Sequence, residues 1–375
     1  MKNKENKKSI SRRKAIKDLS VAGSSLALMP MMSSFKNRDK EKLGIAVVGL
    51  GNYATRQIAP ALQKTEFCKL QAIVTGTPEK EKIWQDKYGI SPKYTYNYKN
   101  FDSIKDDPTI DIVYIVLPNF MHAEYTIRAL QAGKHVICEK PMAMNAAECA
   151  TMIAAAKKAK RKLQVGYRLY YEPHHIKVME EANKPHKGII KMIESSLGFG
   201  MAKPGLWRID KKMGGGGAIM DLGVYTIQTA RRAAGHNPIA VTAHAYKDDP
   251  ELYKDIFGTY IFQLHFKDNT VCNSTVSFSA YTDRFHVSTG NGYLELQPAF
   301  SANRVTGIMT WNEQKETLPL PEFQQMTQMD AFARNIYDDT KILASGEEGL
   351  IDMQIIDAIK KAIESGKKEM VNYSI

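Results

Sequence analysis

The sequence predicts a chain in two structural halves. The first is a doubly wound α/β unit on a parallel sheet; the second is an α+β domain on a large, open, mostly antiparallel sheet. Three observations carry this. From Leu43 onward, short apolar runs rich in β-branched residues ("LGIAVVGLG", "KLQAIVTG", "DIVYIVL", "HVICEKP") alternate with amphipathic stretches, the pattern of βαβ units. From about Leu163 the spacing changes to runs of period two, Val241–Tyr246, Ile256–Phe266, Thr270–Ala280, "RFHVSTG" and "GYLELQP", as antiparallel strands require. The chain has 375 residues, 43% hydrophobic and 25% charged, which is enough for two cores. The expected divisions are a leader at 1–34, a linker at 35–42, the parallel-sheet domain at 43–163, the antiparallel-sheet domain at 164–340, and a C-terminal segment at 341–375. The amphipathic "DMQIIDAIKKAIES" in that last segment is expected to pack back on the first domain.

Charge is concentrated at the start. Of the net +12, residues 1–34 contribute eight Lys/Arg against two Asp/Glu, so +6 is left for the rest of the chain. That remainder has no basic-aromatic patch, which argues against nucleic acid as a partner. No apolar run approaches the roughly 20 residues of a membrane span. "SRRKAIK" precedes the short apolar stretch "VAGSSLALMPMM". Paired Arg12–Arg13 before a weak apolar run read as a twin-arginine export signal and predict a periplasmic protein, or a cytoplasmic one if the signal is not used. Cys68, Cys138, Cys149 and Cys272 show no metal-type spacing, and no metal site is expected.

"LGIAVVGLGNYA" places Gly49, Gly51 and Ala54 in the G-x-G-x-x-A turn between a strand and a helix. This is the Rossmann dinucleotide fingerprint: the first glycine for the turn, the second for close approach to a pyrophosphate, the alanine for helix packing. Asn52 and Tyr53 lie within it. At the tip of the second strand an NAD site places Asp or Glu for the ribose 2′-hydroxyl. Here the chain has Gly76 and Thr77, with Lys80 following. An ammonium and a hydroxyl suit a 2′-phosphate, so NADP is the expected cofactor and NAD the alternative. "LPNFMH" supplies Leu117, Pro118, Asn119 and His122 after the next strand, and Glu139 and Lys140 end the one after it, before Pro141. All are expected at the same rim. An X–Pro bond in such a turn is a candidate for the cis form.

"GGGGAIMDLGVY" (214–225) is a glycine turn opening a helix. Asp221 and Tyr225 stand four residues apart and share a helix face. On spacing alone, a core tyrosine and an aspartate favouring the helix dipole explain the pair better than a site does. The glycine turn, "LPNFMHAEY" and "CEKPMA" together resemble the Gfo/Idh/MocA superfamily. "VTGTPEKEK", "GYRLYYEP", "LWRIDKKMGGGGAIMDLGVY" and "GEEGLIDMQIIDAIKKAIESGK" are similar to its glucose–fructose oxidoreductase branch, over about residues 43–375. The resemblance implies a sugar or polyol oxidoreductase in which the Asp-x-x-x-Tyr helix lies over the nicotinamide. Tyr225 is then the acid–base, with Lys140 as its activator and a contact to the substrate oxygen. Asp221 is expected to orient a sugar hydroxyl. Tyr167 and Arg168 are expected beside the cofactor, and Arg168, Trp207 and Arg208 as substrate walls or clamps. The branch also implies a dimer or tetramer built through the open sheet, and recycling of the cofactor on a second sugar. The long proline-rich arm of the glucose–fructose enzyme is replaced here by "FKNRDKEK". Two other readings share these residues: a glycoside-processing relative, either a ring-hydroxyl dehydrogenase or an NAD-dependent glycosidase, and a non-catalytic cofactor-binding protein.

Overall fold

The computed structural model describes residues 41–184, 188–302, 305–310 and 323–374. Arg12–Arg13 and the rest of the expected leader lie outside them. Six strands form a parallel sheet: β1 (Leu43–Val48), β2 (Cys68–Val74), β3 (Thr95–Tyr96), β4 (Ile112–Ile115), β5 (His135–Cys138) and β6 (Leu163–Val165), in the order β3-β2-β1-β4-β5-β6. The cores of β1, β4 and β5 are buried on both faces, which is why they read as nearly unbroken apolar runs. The strand order reverses between β1 and β4. Such sheets bind ligands at the carboxyl ends beside that reversal.

The second sheet has eight strands: β7 (Ile190–Gly198), β8 (Ala240–Tyr246), β9 (Thr259–His265), β10 (Val271–Ser277), β11 (Thr282–Thr289), β12 (Gly292–Leu296), β13 (Gly307–Thr310) and β14 (Glu369–Met370). Their order is β13-β12-β11-β7-β10-β9-β8-β14. Every neighbouring pair is antiparallel except β7 with β10. Strands β8 to β12 overlap the period-two runs of the sequence. Strand β7, near the centre, has no such signal. Phe262, Leu264, Cys272, Val276, Phe285 and Val287 are buried on the inner face, where β7 and β10 pack against the helix Val224–Ala234. The other face carries Ile261, Gln263, Asn273 and Arg284 outward.

Two helices join the halves. Gly346–Ser365 packs against both Ala146–Ala159, beside the parallel sheet, and β8 of the second sheet. Its Asp352 pairs with Arg231 of Val224–Ala234 at 2.6 Å, both buried. Gln324–Tyr337 packs against Ala59–Leu62 and the short turn Arg168–Tyr171, and its Asp330 accepts from the backbone N–H groups of Glu66 and Phe67. All four cysteines are buried and unpaired. Among the described residues no helix is long and apolar enough to cross a membrane.

Candidate active site

The first strand ends in a turn that only glycine can make. Gly49 has φ +92°, and a Cβ there would meet Val116 O at 2.4 Å. Gly51 faces open space: a Cβ on it would meet nothing within 4 Å. Its bare backbone therefore leaves room for a bulky anion, and the N–H groups of the following helix start favour one. A cleft of about 1390 Å³ opens here, more than the roughly 300–1,000 Å³ that holds one drug-sized ligand. Gly49, Gly51, Asn52, Tyr53, Gly76, Thr77, Lys80, Leu117, Pro118 and Asn119 line one end, and Glu139, Lys140, Arg168, Trp207, Arg208, Asp221 and Tyr225 the other.

Three expected residues do not reach the cleft. Ala54 is buried beneath the turn. His122 lies behind the wall, with its ring nitrogens on Pro141 O and Leu117 O at 2.8 Å each, so it ties the β4 loop to the β5 loop. Burial lowers its pKa. Tyr167 is fully buried and stacks on Tyr170; its neighbour Arg168 turns into the cleft instead. Arg56 and Tyr98 line the cleft beside Gly76 and Lys80 without having been expected. No carboxylate lines that end.

Lys140 follows β5, and its bond to Pro141 is cis. Its ammonium donates to Asp221 Oδ1 at 2.7 Å and to Asp221 O at 2.8 Å. Arg208 Nε lies 3.0 Å from the other carboxylate oxygen. Burial opposes the charge on Asp221, but Lys140 and Arg208 outweigh it and hold the carboxyl at about 2. Burial likewise works against the Lys140 ammonium, and the Asp221 carboxylate overcomes it, so its pKa is raised. Asp221 is thus a clamp between two cations. Each of its oxygens faces one cation, Lys140 on Oδ1 and Arg208 on Oδ2. Trp207 stacks on the Arg208 guanidinium, 4.4 Å from the ring centroid, and so backs the clamp.

The Tyr225 ring lies between two cations, 4.7 Å from Lys140 Nζ and 5.0 Å from Arg168 Cζ, measured to its centroid. Arg168 is buried and donates to Gln324 Oε1, Phe300 O and Ser301 O. Glu139 is held by Tyr114 Oη at 2.8 Å and the Lys140 N–H at 3.3 Å, and burial raises its pKa. Gln328 donates to Tyr114 Oη, and Gln325 to Tyr53 Oη. Three glutamines of one helix therefore brace the site from behind. The only sequence trace of them is the polar "FQQMTQ" at a helix start.

The four-glycine run joins the halves at this point. Gly215, Gly216 and Gly217 have φ +85°, +157° and +65°, a path that side-chain-bearing residues resist. Asn119 Nδ2 donates to Gly214 O at 2.8 Å, and Tyr260 Oη to Gly216 O at 2.7 Å. The turn delivers Asp221 to Lys140.

A family model described as "Oxidoreductase family, NAD-binding Rossmann fold" matches residues 43–167, and one described as "GFO/IDH/MocA C-terminal domain" matches residues 185–295. The crystal structure of aldose-aldose oxidoreductase from Caulobacter crescentus, complexed with glycerol, is similar with a TM-score of 0.86 and 36% identity, covering 88% of this chain and 100% of that one. D-xylose 1-dehydrogenase (NADP(+)) of Haloarcula marismortui is 27% identical over 333 residues, 85% of this chain and 91% of that protein. D-glucoside 3-dehydrogenase of Escherichia coli is 24% identical over 369 residues, 87% of this chain and 97% of that protein.

Replacing Asp221 by Asn removes the charge that offsets burial of Lys140, so the Lys140 pKa falls and more free amine is present at alkaline pH. Competitive acetylation at about pH 9, read by mass spectrometry, should label Lys140 at least about tenfold faster in D221N than in wild type, since an opposite charge at this range shifts a pKa by roughly 1–3 units. Equal labelling would show that Asp221 does not hold the ammonium.

Proposed function

The chain belongs to the Gfo/Idh/MocA oxidoreductase family, and on that premise we propose that it moves a hydride between a CH–OH carbon of a sugar or polyol and NADP, with Tyr225 transferring the proton. It is an NADP-dependent sugar oxidoreductase. The observation that carries the assignment of residues is the single cleft. It joins a glycine turn, with no carboxylate at the β2 tip, to the Lys140–Asp221–Tyr225 cluster.

The residues present fit the cofactor. The space over Gly51 suits the pyrophosphate, and Thr77, Lys80 and Arg56, which line the same cleft, would hold the 2′-phosphate. When bound, NADP supplies the hydride acceptor. An ammonium has three donors. Two of those on Lys140 go to Asp221, and the third is left for the substrate oxygen, where it stabilises charge developing as the hydride leaves. As the phenolate, Tyr225 takes the hydroxyl proton in oxidation and becomes the phenol, which returns it in reduction. Arg168, fixed by Gln324 and the 300–301 carbonyls, holds one side of the Tyr225 ring. An ionised Asp221 keeps Lys140 charged and aimed.

The name of the Caulobacter relative supports a cycle in which a second aldose reoxidises the cofactor. That of the Escherichia coli relative supports ring-hydroxyl oxidation of a glycoside. Incubation with free aldoses and with an aryl glycoside separates the two by product. Arg12–Arg13 support export, which fractionation after replacing both by Lys tests; an unchanged distribution rules the signal out. The outer sheet face, with Tyr246, Ile261 and Tyr293 exposed, supports a homo-oligomer, and a monomer in sedimentation would exclude it.

Lys80→Ala should weaken NADP binding about tenfold or more and leave NAD binding unchanged, because a hydrogen bond to a charged group is worth roughly 1.5–3 kcal/mol. Titration of both nucleotides checks this; equal losses for the two would remove Lys80 from the 2′-phosphate. Tyr225→Phe should slow single-turnover reduction of bound NADP by about 10²–10⁴-fold with cofactor binding retained. Near-wild-type hydride transfer in that variant would make the phenol structural.

A further inference from the structure

Three carboxylates line the cleft among the described residues: Glu139, Asp221 and Asp283. The first two are committed, Glu139 to Tyr114 and the Lys140 N–H, Asp221 to Lys140 and Arg208. Asp283 is different. Its Oδ1 accepts from the backbone N–H groups of Ala299 and Phe300 at 2.8 Å each, and no hydrogen bond among the described residues reaches Oδ2. The side chain is therefore anchored through one oxygen and open through the other. Its position is fixed relative to the chemistry as well. The Phe300 carbonyl next along accepts from Arg168, and the Phe300 ring lies 6.4 Å from that of Tyr225. Burial raises the Asp283 pKa, against the two amides and Arg168, which favour the anion.

Tyr281 stands two residues earlier, just before β11. Side chains two apart on an extended chain share a face, and both line the cleft. The Tyr281 side chain is 82% exposed, so its ring has no protein cover. A bare aromatic face beside an anchored, half-open carboxylate matches one ligand class closely. A pyranose presents C–H groups on its face and hydroxyl donors around its edge.

Resting on the oxidoreductase reading above, we propose that Asp283 and Tyr281 form the sugar-recognition pair of this cleft: Asp283 Oδ2 accepts from a ring hydroxyl away from the reacting carbon, and Tyr281 covers the C–H face of the ring. The pair sets which sugar binds; Lys140 and Tyr225 carry out the reaction.

Asp283→Asn is the informative substitution. The amide oxygen still accepts from Ala299 and Phe300, so the turn is kept, while the open acceptor becomes a donor. The parent aldose that reacts fastest, chosen from D-glucose and D-xylose, is assayed with its monodeoxy derivatives. D283N should raise KM for the parent sugar roughly 10- to 100-fold, the loss of a charge-assisted hydrogen bond, with kcat changed far less. Tyr281→Ala should raise KM about three- to tenfold. The derivative lacking the contacted hydroxyl should bind wild type poorly but lose little more in D283N, because the two deletions remove the same contact. Calorimetry of the same sugars with the NADP-loaded protein runs alongside. Binding without NADP reduction marks a failure of the oxidoreductase reading and leaves the recognition pair testable. Equal sugar binding by wild type and D283N, equal losses on parent and every deoxy sugar, or a fall in kcat with KM kept would each overturn the pair.

Discussion

The contact between Lys140 and Asp221 is the constraint on which the rest of the structure turns. One partner ends a strand of the parallel sheet; the other opens a helix against the antiparallel sheet. Removing two such charges from water costs several kcal/mol each, and a buried pair returns little net stability. Its worth here is positional. It brings the nucleotide turn and the Tyr225 helix to one cleft, and it fixes the protonation of both members. Because Arg208 shares the same carboxylate, the loop at 203–210 is drawn into the wall as well.

Several local choices in the chain follow from that contact. Asp221 reaches Lys140 only because the backbone before it passes through three successive left-handed residues, and only glycine takes that path without strain. Asn119 then caps Gly214 O from the β4 loop, so the turn is pinned by the domain it must meet. On the opposite side, Gln324, Gln325 and Gln328 hold Arg168, Tyr53 and Tyr114. That bracing is neutral and adds no further charge to the site.

Much of this was legible in the sequence, and the parts that were not share a cause. β1, β4 and β5 declare themselves because both faces are buried, and Gly49 because its geometry admits little else. The Asp221/Tyr225 spacing marked a helix face. It could not say that Arg208 would meet the second carboxylate oxygen beside Lys140. β7 gave no period-two signal because its inward positions include Ser195 beside Ile193 and Leu197. Arg56, Tyr98, Asp283 and the glutamines take their roles from contacts far along the chain: Gln324 meets Arg168 across 156 positions. No local pattern encodes such contacts.

The cleft is built to two standards, and the difference bears on how one fold serves different sugars. Its reacting groups are buried and locked into pairs, so a change in any of them disturbs the others. Asp283 and Tyr281 sit at the start of a strand, one anchored only to backbone and the other mostly in solvent. Substitution there alters the shape and polarity offered to a ring without touching the Lys140–Asp221 contact. An aldose, a xylose and a glucoside enzyme, as the relatives are named, can therefore share one scaffold. The proposed recognition of the sugar is then a matter of contacts at the rim, whereas the proposed catalytic groups, Lys140 and Tyr225, are ones the rim does not move.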